Sequence, residues 1–380
     1  MCIDQEDKRQ KACGMLSMGA FLKYSDSLLV LWDPSYTRRL WCVFELAGFM
    51  RSRPAGKPKL LVRPLILGPC SVLLTLTMVV VVTAIGWVPE QGDLAGKLAL
   101  WGSQVLVLLI GLYAMISVAR GYFRAVDQMR SELFNFSLEE VQCYCCQRNH
   151  VDPSGNRIQI CDRQVLLQCI GIWFGTLEAF EQSVQAEVLP CLLKELSSHF
   201  FTYRHCVTAT IPLLWSYLDL AAAILHYLDQ YPGRTWRSAM DDGILRGASW
   251  WLGAVPTICA IAMRLSCALR KRRERAWCDC LVTFGILLCT VASFVVFVQL
   301  EQLKYPLGAL LQEWLGPVRH LNECVFLLMV LLSAGVAFGC VGIHPRSFRE
   351  VRLPPPATME KPVETANEPS IRFERNQLSL

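Results

Sequence analysis

Charged residues are scarce in this sequence, and their scarcity excludes several classes of protein. Of 380 residues, 18% are charged and 53% are hydrophobic. A chain of this composition is too apolar to be disordered through charge repulsion, and too apolar for an ordinary soluble enzyme of its length. Its glycines show no period, which excludes a collagen-like fibre.

The common enzyme signatures are also missing. The sequence has no Walker A, G-x-G-x-x-G, H-E-x-x-H or G-x-S-x-G motif and no protein-kinase signature. Their absence removes the commonest enzyme classes. Inverted repeats, selectivity-filter sequences and regular arginine ladders are absent as well, so no motif points to a particular kind of channel or carrier.

Long apolar runs are what the sequence has in abundance. A helix that rises 1.5 Å per residue needs about 20 apolar residues to cross the hydrocarbon core of a bilayer. Six runs reach about that length, at 65–88, 98–119, 206–228, 249–269, 278–300 and 324–343. The sequence therefore predicts a mainly α-helical, multi-pass membrane protein of about six spans.

The basic residues around these runs predict the orientation. Lys and Arg cluster before the first run, and RKRRER at 270–275 lies between the fourth and fifth. Because cytoplasmic loops are enriched in Lys and Arg, we expect both segments and both termini in the cytosol. The net charge of +5 then reflects orientation and not nucleic-acid binding. Expected partners are the lipid bilayer and proteins at the cytosolic face, with a homo-oligomer left open.

These features divide the chain into five parts. We expect a small soluble module at 1–62, a transmembrane hairpin at 63–119, a cytosolic loop at 120–205, a second transmembrane region at 206–343 and a tail at 344–380. The first ten residues lack the apolar core of a cleavable signal, so the first span is expected to direct insertion. The tail, which contains PPP followed by polar residues, is expected to be disordered.

The N-terminal part has the pattern of a small α/β module. Apolar residues at helical spacing predict a helix over 8–24, and the run LLVL predicts a buried strand within 25–32. A second helix is expected from Thr37, and a further short strand over 60–67. On the second helix Glu45 lies on the same face as Trp41 and Phe44, so its carboxylate is beside an aromatic surface.

Three stretches of this module carry a family resemblance: CIDQ at 2–5, LKYSDSLLVLWDPSY at 22–36 and RLWCVFELA at 39–47. Together they resemble a TIR-like domain of the superfamily that includes heterokaryon-incompatibility domains. The stretch with Trp41, Cys42, Glu45 and Leu46 is similar to the W-C-x-x-E-L signature of plant TIR domains. The strand and helix that precede the CID strand in that family have no counterpart here. The whole arrangement also resembles multi-pass proteins of protists, a resemblance that implies no activity.

The resemblance implies a role for Glu45, because it occupies the position of the glutamate that cleaves NAD in TIR enzymes. A carboxylate there would stabilise an oxocarbenium-like ribosyl centre as nicotinamide leaves. In the alternative, Glu45 is a polar helix residue paired with Arg38, Arg39 or another cation. Trp41 and Cys42 are expected to pack in the core.

The long loop contains a candidate metal site. Cys143, Cys146, His150 and Cys161 supply three thiolates and an imidazole, a set suited to tetrahedral zinc, with Cys145 as a spare thiol. A turn at 152–156 would fold the last ligand back. In the alternative, these are free or lipid-modified thiols.

An amphipathic pattern follows the cysteines at 164–196. Apolar residues recur there every three or four positions, which predicts a helix with one apolar face. Pro190 is expected to kink or divide this helix. We expect it to pack against the TIR-like segment, against a partner, or within a subdomain of the loop.

Asp219 lies near the middle of the third apolar run. An acidic group at that depth costs several kcal/mol unless it is paired or neutral, so we expect it to face protein or water. Arg246 and Arg264 are possible partners. Its role would be either transport or a structural hydrogen bond between helices.

Three hypotheses about function follow from the sequence. The first is a multi-pass membrane protein that works in signalling or assembly through protein contacts. The second is a membrane-bound enzyme that cleaves NAD with Glu45, and the third is a carrier or channel that uses Asp219. NAD as a substrate and zinc as a bound metal are the small molecules that these hypotheses involve.

Overall fold

The structure is a computed structural model of the chain. It describes residues 8–52, 59–86, 94–151, 155–158, 161–199, 201–226 and 235–340. The CIDQ stretch at 2–5 and the expected tail at 344–380 lie outside these ranges.

The N-terminal part is a βαβ unit preceded by a helix. Helix α1 (Lys8–Tyr24) leads into strand β1 (Ser27–Trp32), and helix α2 (Leu40–Arg51) connects it to strand β2 (Lys59–Pro64). The two strands are parallel, in a register that pairs Val30 with Val62. A parallel pair needs such a crossover, because a tight turn reverses the chain.

The predicted bounds of this unit differ slightly from those in the structure. Helix α2 begins at Leu40 and not at Thr37, because Tyr36–Arg38 form one 3-10 turn. Asp33 starts that turn by accepting a hydrogen bond from the backbone N–H of Ser35 at 2.6 Å. Strand β2 ends at Pro64, because helix α3 (Leu67–Gly86) begins soon after it.

The rest of the described chain is mainly helical. In chain order it contains α4 (Leu94–Phe134), α5 (Tyr144–Gln147), α6 (Asp162–Phe174), α7 (Leu177–Ser183), α8 (Leu189–His199), α9 (Tyr203–Ala209), α10 (Ile211–His226), α11 (Trp236–Ala268), α12 (Ala276–Leu315) and α13 (Leu321–Gly339). Helix α11 includes two π-helical stretches, Ala239–Leu245 and Trp250–Ala254.

Four helices of the described residues are long and apolar enough to cross a bilayer: Gly102–Phe134 of α4, α11, α12 and α13. Helices α9 and α10 join at a bend of 50° and give a fifth span if they count as one. The apolar stretch found in α3 is Leu67–Val80, which is shorter. The chain is therefore mainly helical, with four or five candidate spans and a two-stranded sheet.

Small residues bring the membrane helices close together. A Cβ atom on Gly243 of α11 would lie 2.4 Å from the Cβ of Ala221 in α10, and one on Gly247 would lie 2.5 Å from the Cβ of Tyr217. The two glycines are four residues apart on one helix face. Such small-xxx-small spacing lets helix backbones approach closely. Close packing matters in a membrane, because lipid provides no hydrophobic driving force for helix association.

Two segments that the sequence separates share one hydrophobic core. We call this unit the α/β lobe; it comprises residues 8–64 and 119–206 as far as they are described. Its core draws on both segments, with members that include Trp32, Phe44, Val62, Phe123, Ile170 and Leu192. The N-terminal module and the long loop between the second and third apolar runs are thus one packed body.

The amphipathic region at 164–196 forms two successive helical pieces, and the break lies elsewhere than expected. It is at Gly175, which has φ 85°, and Thr176 then accepts a hydrogen bond from the backbone N–H of Ala179 at 3.0 Å to begin α7. The expected division at Pro190 is wrong. There a π-helical stretch, Val184–Val188, runs directly into α8, and its wider turn accommodates a proline ring near the start of the next helix.

Candidate functional site

Glu45 lies on helix α2 and is partly buried among other polar side chains. Burial raises the pKa of the Glu45 carboxyl above its usual value, and the Arg39 charge offsets part of that rise. Burial also raises the pKa of Tyr36 well above its usual range, helped by Cys42 and Glu45. Trp41 and Cys42 pack against the lobe core, and Leu46, the last motif residue, is fully buried within it.

Neither arginine proposed as a partner forms an ion pair with Glu45. The Arg38 guanidinium lies 2.6 Å from Glu132 of α4, and that of Arg39 lies 3.2 Å from Asp33. Within the part of the chain that the structure describes, no hydrogen bond to the Glu45 carboxylate is found. Arg38 therefore joins the N-terminal unit to α4, a contact that local spacing does not reveal.

Two open cavities lie on the lobe, and neither is lined by Glu45. One of about 420 Å³ lies between the 3-10 turn and the end of α4, with Arg38, Glu132 and Gln142 in its wall. The other, of about 500 Å³, is lined by His150, Arg157, Ile158, Cys161 and Gln164. Neither of these two cavities therefore brings a nucleotide-sized space to Glu45.

The cysteines of the loop converge on Cys145. Its Sγ lies 3.4 Å from that of Cys143, 3.9 Å from that of Cys146 and 3.8 Å from that of Cys161. The Sγ atoms of Cys146 and Cys161 are 3.7 Å apart. A ring nitrogen of His150 lies within 4.8 Å of the Cys145 and Cys161 sulfurs. The groups with all ligand atoms within 4.8 Å are Cys143, Cys145 and Cys146 on one side and Cys145, His150 and Cys161 on the other, so the thiol taken as a spare joins the predicted residues.

Local backbone bonds build this cluster. Cys145 and Cys146 lie on the single turn α5, and the backbone N–H of His150 donates to the Cys145 carbonyl at 2.8 Å. A short antiparallel bridge between Val151 and Arg157 returns the chain, and Cys161 then begins α6. Of the turn expected at 152–156, residues 152–154 lie outside the described ranges.

The Cys145 thiol is surrounded by hydrogen-bond donors. Burial raises its pKa, but hydrogen bonds from Cys143 and from the backbone N–H groups of Arg163 and Asp162 lower it by more, so the pKa lies below its usual value. Those amides belong to the first turn of α6, where backbone N–H groups lack helical partners. These donors thus stabilise negative charge on the Cys145 sulfur.

Asp219 lies on α10, within the third apolar run. Its side chain is exposed on the surface of α10, and no hydrogen bond or ion pair to it is found among the described residues. Arg246 lies 2.6 Å from Glu301 instead, and Arg264 donates to the carbonyl of Ala337. The expected pairing of Asp219 with either arginine is therefore wrong.

A buried charge network occupies the bundle away from Asp219. Glu301 and Lys304 of α12 lie 3.5 Å apart, and Lys304 lies 2.5 Å from Glu323 of α13. Trp250 of α11 donates to Glu301 at 3.2 Å. The sequence contains a pattern that indicates this ion pair, because Glu301 and Lys304 lie one helical turn apart at the end of an apolar run.

Comparison with known protein families, curated proteins and solved structures gives no match to this chain. Function is therefore inferred from the chain's own residues.

Proposed function

We propose that this chain is a six-span membrane protein with both termini in the cytosol, and that its α/β lobe acts in signalling or assembly through protein contacts. The observation that carries the proposal is the continuity of the core from lobe to bundle. Met263 and Cys267, near the end of α11, belong to the same core as the sheet and α2. A protein bound to the lobe would therefore act on the packing of the membrane helices.

Six spans follow if α3 and the bent α9–α10 pair each cross the bilayer beside the four long helices. Helix α3 packs along α4 and reaches α10, as a first span would. The bend between α9 and α10 is of a kind that membrane helices tolerate.

The basic loop supports a cytosolic lobe. Arg270 forms an ion pair with Asp127 near the lobe end of α4, and Arg124 donates to the carbonyl of Arg270. Lys271, Arg272 and the other basic residues up to position 275 are exposed. The polybasic loop and the lobe thus lie at the same end of the bundle, and positive loops favour the cytosolic side.

The partner that the lobe fits best is a second copy of the chain, paired through β1. Leu29 and Leu31 of this strand are 58% and 51% exposed, on a sheet face that the lobe core does not cover. Strand β2 carries Lys59, Arg63 and Pro64, residues that natural edge strands use to resist pairing. Strand β1 itself carries no charged residue, which leaves its edge open to pairing with a second copy.

The test is the mass of the detergent-solubilised protein. We expect a dimer for the wild type and a monomer for the double variant Leu29→Asp and Leu31→Asp. Ile172→Asp, which adds a charge at an exposed position on α6 of the same lobe, is the matched control and stays dimeric. A monomeric wild type, or a double variant that remains dimeric, would refute the β1 contact; the exposed leucines would then face lipid or residues outside the described ranges.

The two rival functions have less support. Glu45 lines neither of the two cavities described on the lobe, and Asp219 is exposed on α10 with no ion-pair partner among the described residues. NAD turnover that Glu45→Ala abolishes without unfolding the protein would replace our proposal. Flux in vesicles that Asp219→Asn changes would do the same.

A further inference from the structure

We propose that the α/β lobe binds one zinc ion through the thiolates of Cys145, Cys146 and Cys161 and the imidazole of His150. This inference does not depend on the protein contacts proposed above. It concerns a cluster that those contacts leave unused, and it assigns the cluster a structural role.

The sulfur positions match one face of a tetrahedral site. Zinc–sulfur bonds of about 2.3 Å place two thiolates of a tetrahedron about 3.8 Å apart. The three Sγ–Sγ distances among Cys145, Cys146 and Cys161 are 3.9, 3.8 and 3.7 Å. Three thiols on two separate elements thus form a nearly equilateral triangle of the size that zinc requires.

His150 is held towards this triangle by strained backbone. Asn149 and His150 have backbone φ angles of 51° and 59°. Residues other than glycine seldom adopt this left-handed conformation. Such strain persists only where the surroundings impose it, and it often marks a functional site. Backbone bonds impose it here, since the His150 carbonyl accepts from the N–H of Ile158 at 2.6 Å. A ring nitrogen is thereby brought within 4.8 Å of two of the sulfurs.

The geometry selects Cys145 over Cys143 as the third thiolate. Cys143 Sγ lies 3.4 Å from Cys145 Sγ, which is shorter than the edge of a zinc–thiolate tetrahedron and is a hydrogen-bond contact between sulfurs. Cys145 touches both other ligand thiols, whereas the sequence pattern had assigned this role to Cys143. Cys143 is then a donor to the Cys145 thiolate outside the coordination sphere.

Four protein ligands leave no open position, so the site is structural and not catalytic. Its position explains what it would stabilise. Gln142, which precedes the cluster, exchanges two backbone hydrogen bonds with Arg38 and Leu40 at 2.8 and 3.0 Å. Zinc would thus fasten the start of α6 and the bridge between Val151 and Arg157 to a segment that is paired with the beginning of α2.

The test uses the full-length protein in detergent, reduced, titrated with zinc alone and freed of unbound metal by gel filtration. Elemental analysis is expected to find one zinc per chain in the wild type and in Cys143→Ala. It should find stoichiometric binding lost in Cys145→Ala, Cys146→Ala and Cys161→Ala. The matched control is Cys169→Ala, a buried thiol of α6 outside the cluster, which retains zinc.

Folding is followed on the same samples by thermal unfolding, so that a variant that merely unfolds is recognised. Zinc should raise the unfolding temperature of the wild type and of Cys143→Ala, and it should leave a folded Cys145→Ala unchanged. His150→Ala is expected to bind zinc more weakly and to release it faster to a chelator. A folded wild type that takes up no zinc, or binding lost in Cys143→Ala and kept in Cys145→Ala, would overturn the assignment. So would acyl-modified or disulfide-bonded cluster cysteines in the native protein.

Discussion

Arg120 shows how one residue fixes the junction of lobe and bundle. It is 1% exposed, and its guanidinium donates to the carbonyls of Leu269 and Asp279, to the Thr283 hydroxyl and, at 2.7 Å, to the Asp279 carboxylate. Three helices, α4, α11 and α12, thus meet on one side chain. A planar group with five donors suits this arrangement, and a lysine would leave acceptors unsatisfied.

Replacing Arg120 by methionine is expected to lower the free energy of unfolding by about 3 kcal/mol or more, because it leaves the Asp279 carboxylate without its closest cation. Thermal unfolding in detergent measures the loss. Arg124 is the control, since it lies 3.5 Å from Asp279 and is 32% exposed. Arg124→Met should cost no more than about 1 kcal/mol. Equal losses in the two variants would contradict the role given to Arg120.

Glu45 makes stability depend on pH. Because burial raises the pKa of its carboxyl in the folded lobe, ionisation costs folding free energy. Stability is therefore lost as the pH rises from below the unfolded carboxyl pKa through the raised folded pKa. Glu45→Gln removes this loss, so the variant should unfold at a higher temperature than the wild type at pH 7, with the difference vanishing near pH 4. A variant that is less stable at pH 7 would mean that the Arg39 charge outweighs burial.

The sequence predicted which residue types lie together in the cysteine cluster. The thiols and the imidazole are close in the chain, and this short separation keeps them close in space. It did not predict which thiol is central, since that depends on the turn α5 and on the strained backbone at His150. The same limit explains Asp219. Depth along an apolar run is readable from sequence, but the side of the helix that faces protein is set by packing against other helices.

At the scale of elements, α6 is held by a large aromatic contact. The ring of Trp173 stacks on Phe44 of α2 with centroids 4.7 Å apart. It also covers Gly48, where an added Cβ would lie 2.9 Å from the ring. The expected packing of the amphipathic region against the N-terminal segment is therefore observed. A close backbone approach at Gly48 makes it possible.

Gly48→Ala is expected to destabilise the lobe by about 1–3 kcal/mol, because a rigid, packed ring must move to admit the methyl group. Gly171→Ala is the matched control on α6, since a Cβ there would have no neighbour within 4 Å. That substitution should stabilise the helix by about 0.5–1 kcal/mol. Thermal unfolding followed by tryptophan fluorescence distinguishes the two. Opposite signs support the packing described, and a neutral Gly48→Ala would contradict it.

Helices and strands were predictable where the pattern is local. The helix over 8–24 has its predicted bounds, and the strand within 25–32 is found at Ser27–Trp32. Its expected burial is wrong for one face, because only Val30 and Trp32 of this strand are buried. The break of the amphipathic region was assigned to Pro190 because proline lacks an N–H, although Gly175 ends the helix. Proline near the start of a helix needs no such bond, whereas a left-handed glycine ends one.

At the scale of the whole molecule, the sequence pattern predicts two separate units that pack together as one in the structure. Composition separates residues 1–62 from 120–205, because apolar spans lie between them. The ion pair of Arg38 with Glu132 and the shared core unite them. Contacts between residues some 95 positions apart cannot be predicted from the periodicity of apolar residues along the chain. Chain-wide hydropathy, by contrast, sufficed to predict a helical membrane protein.

We propose a cytosolic lobe on a bundle of six spans. Mapping which sequons are glycosylated in microsomes tests this topology. The natural sequon Asn135-Phe136-Ser137 follows α4 in the lobe, and a second is introduced by Gln312→Asn and Trp314→Thr in the exposed end of α12. We predict that the introduced site is glycosylated, with a mass shift that a glycosidase removes, and that Asn135 is not. Glycosylation of Asn135, alone or together with the introduced site, would contradict the account.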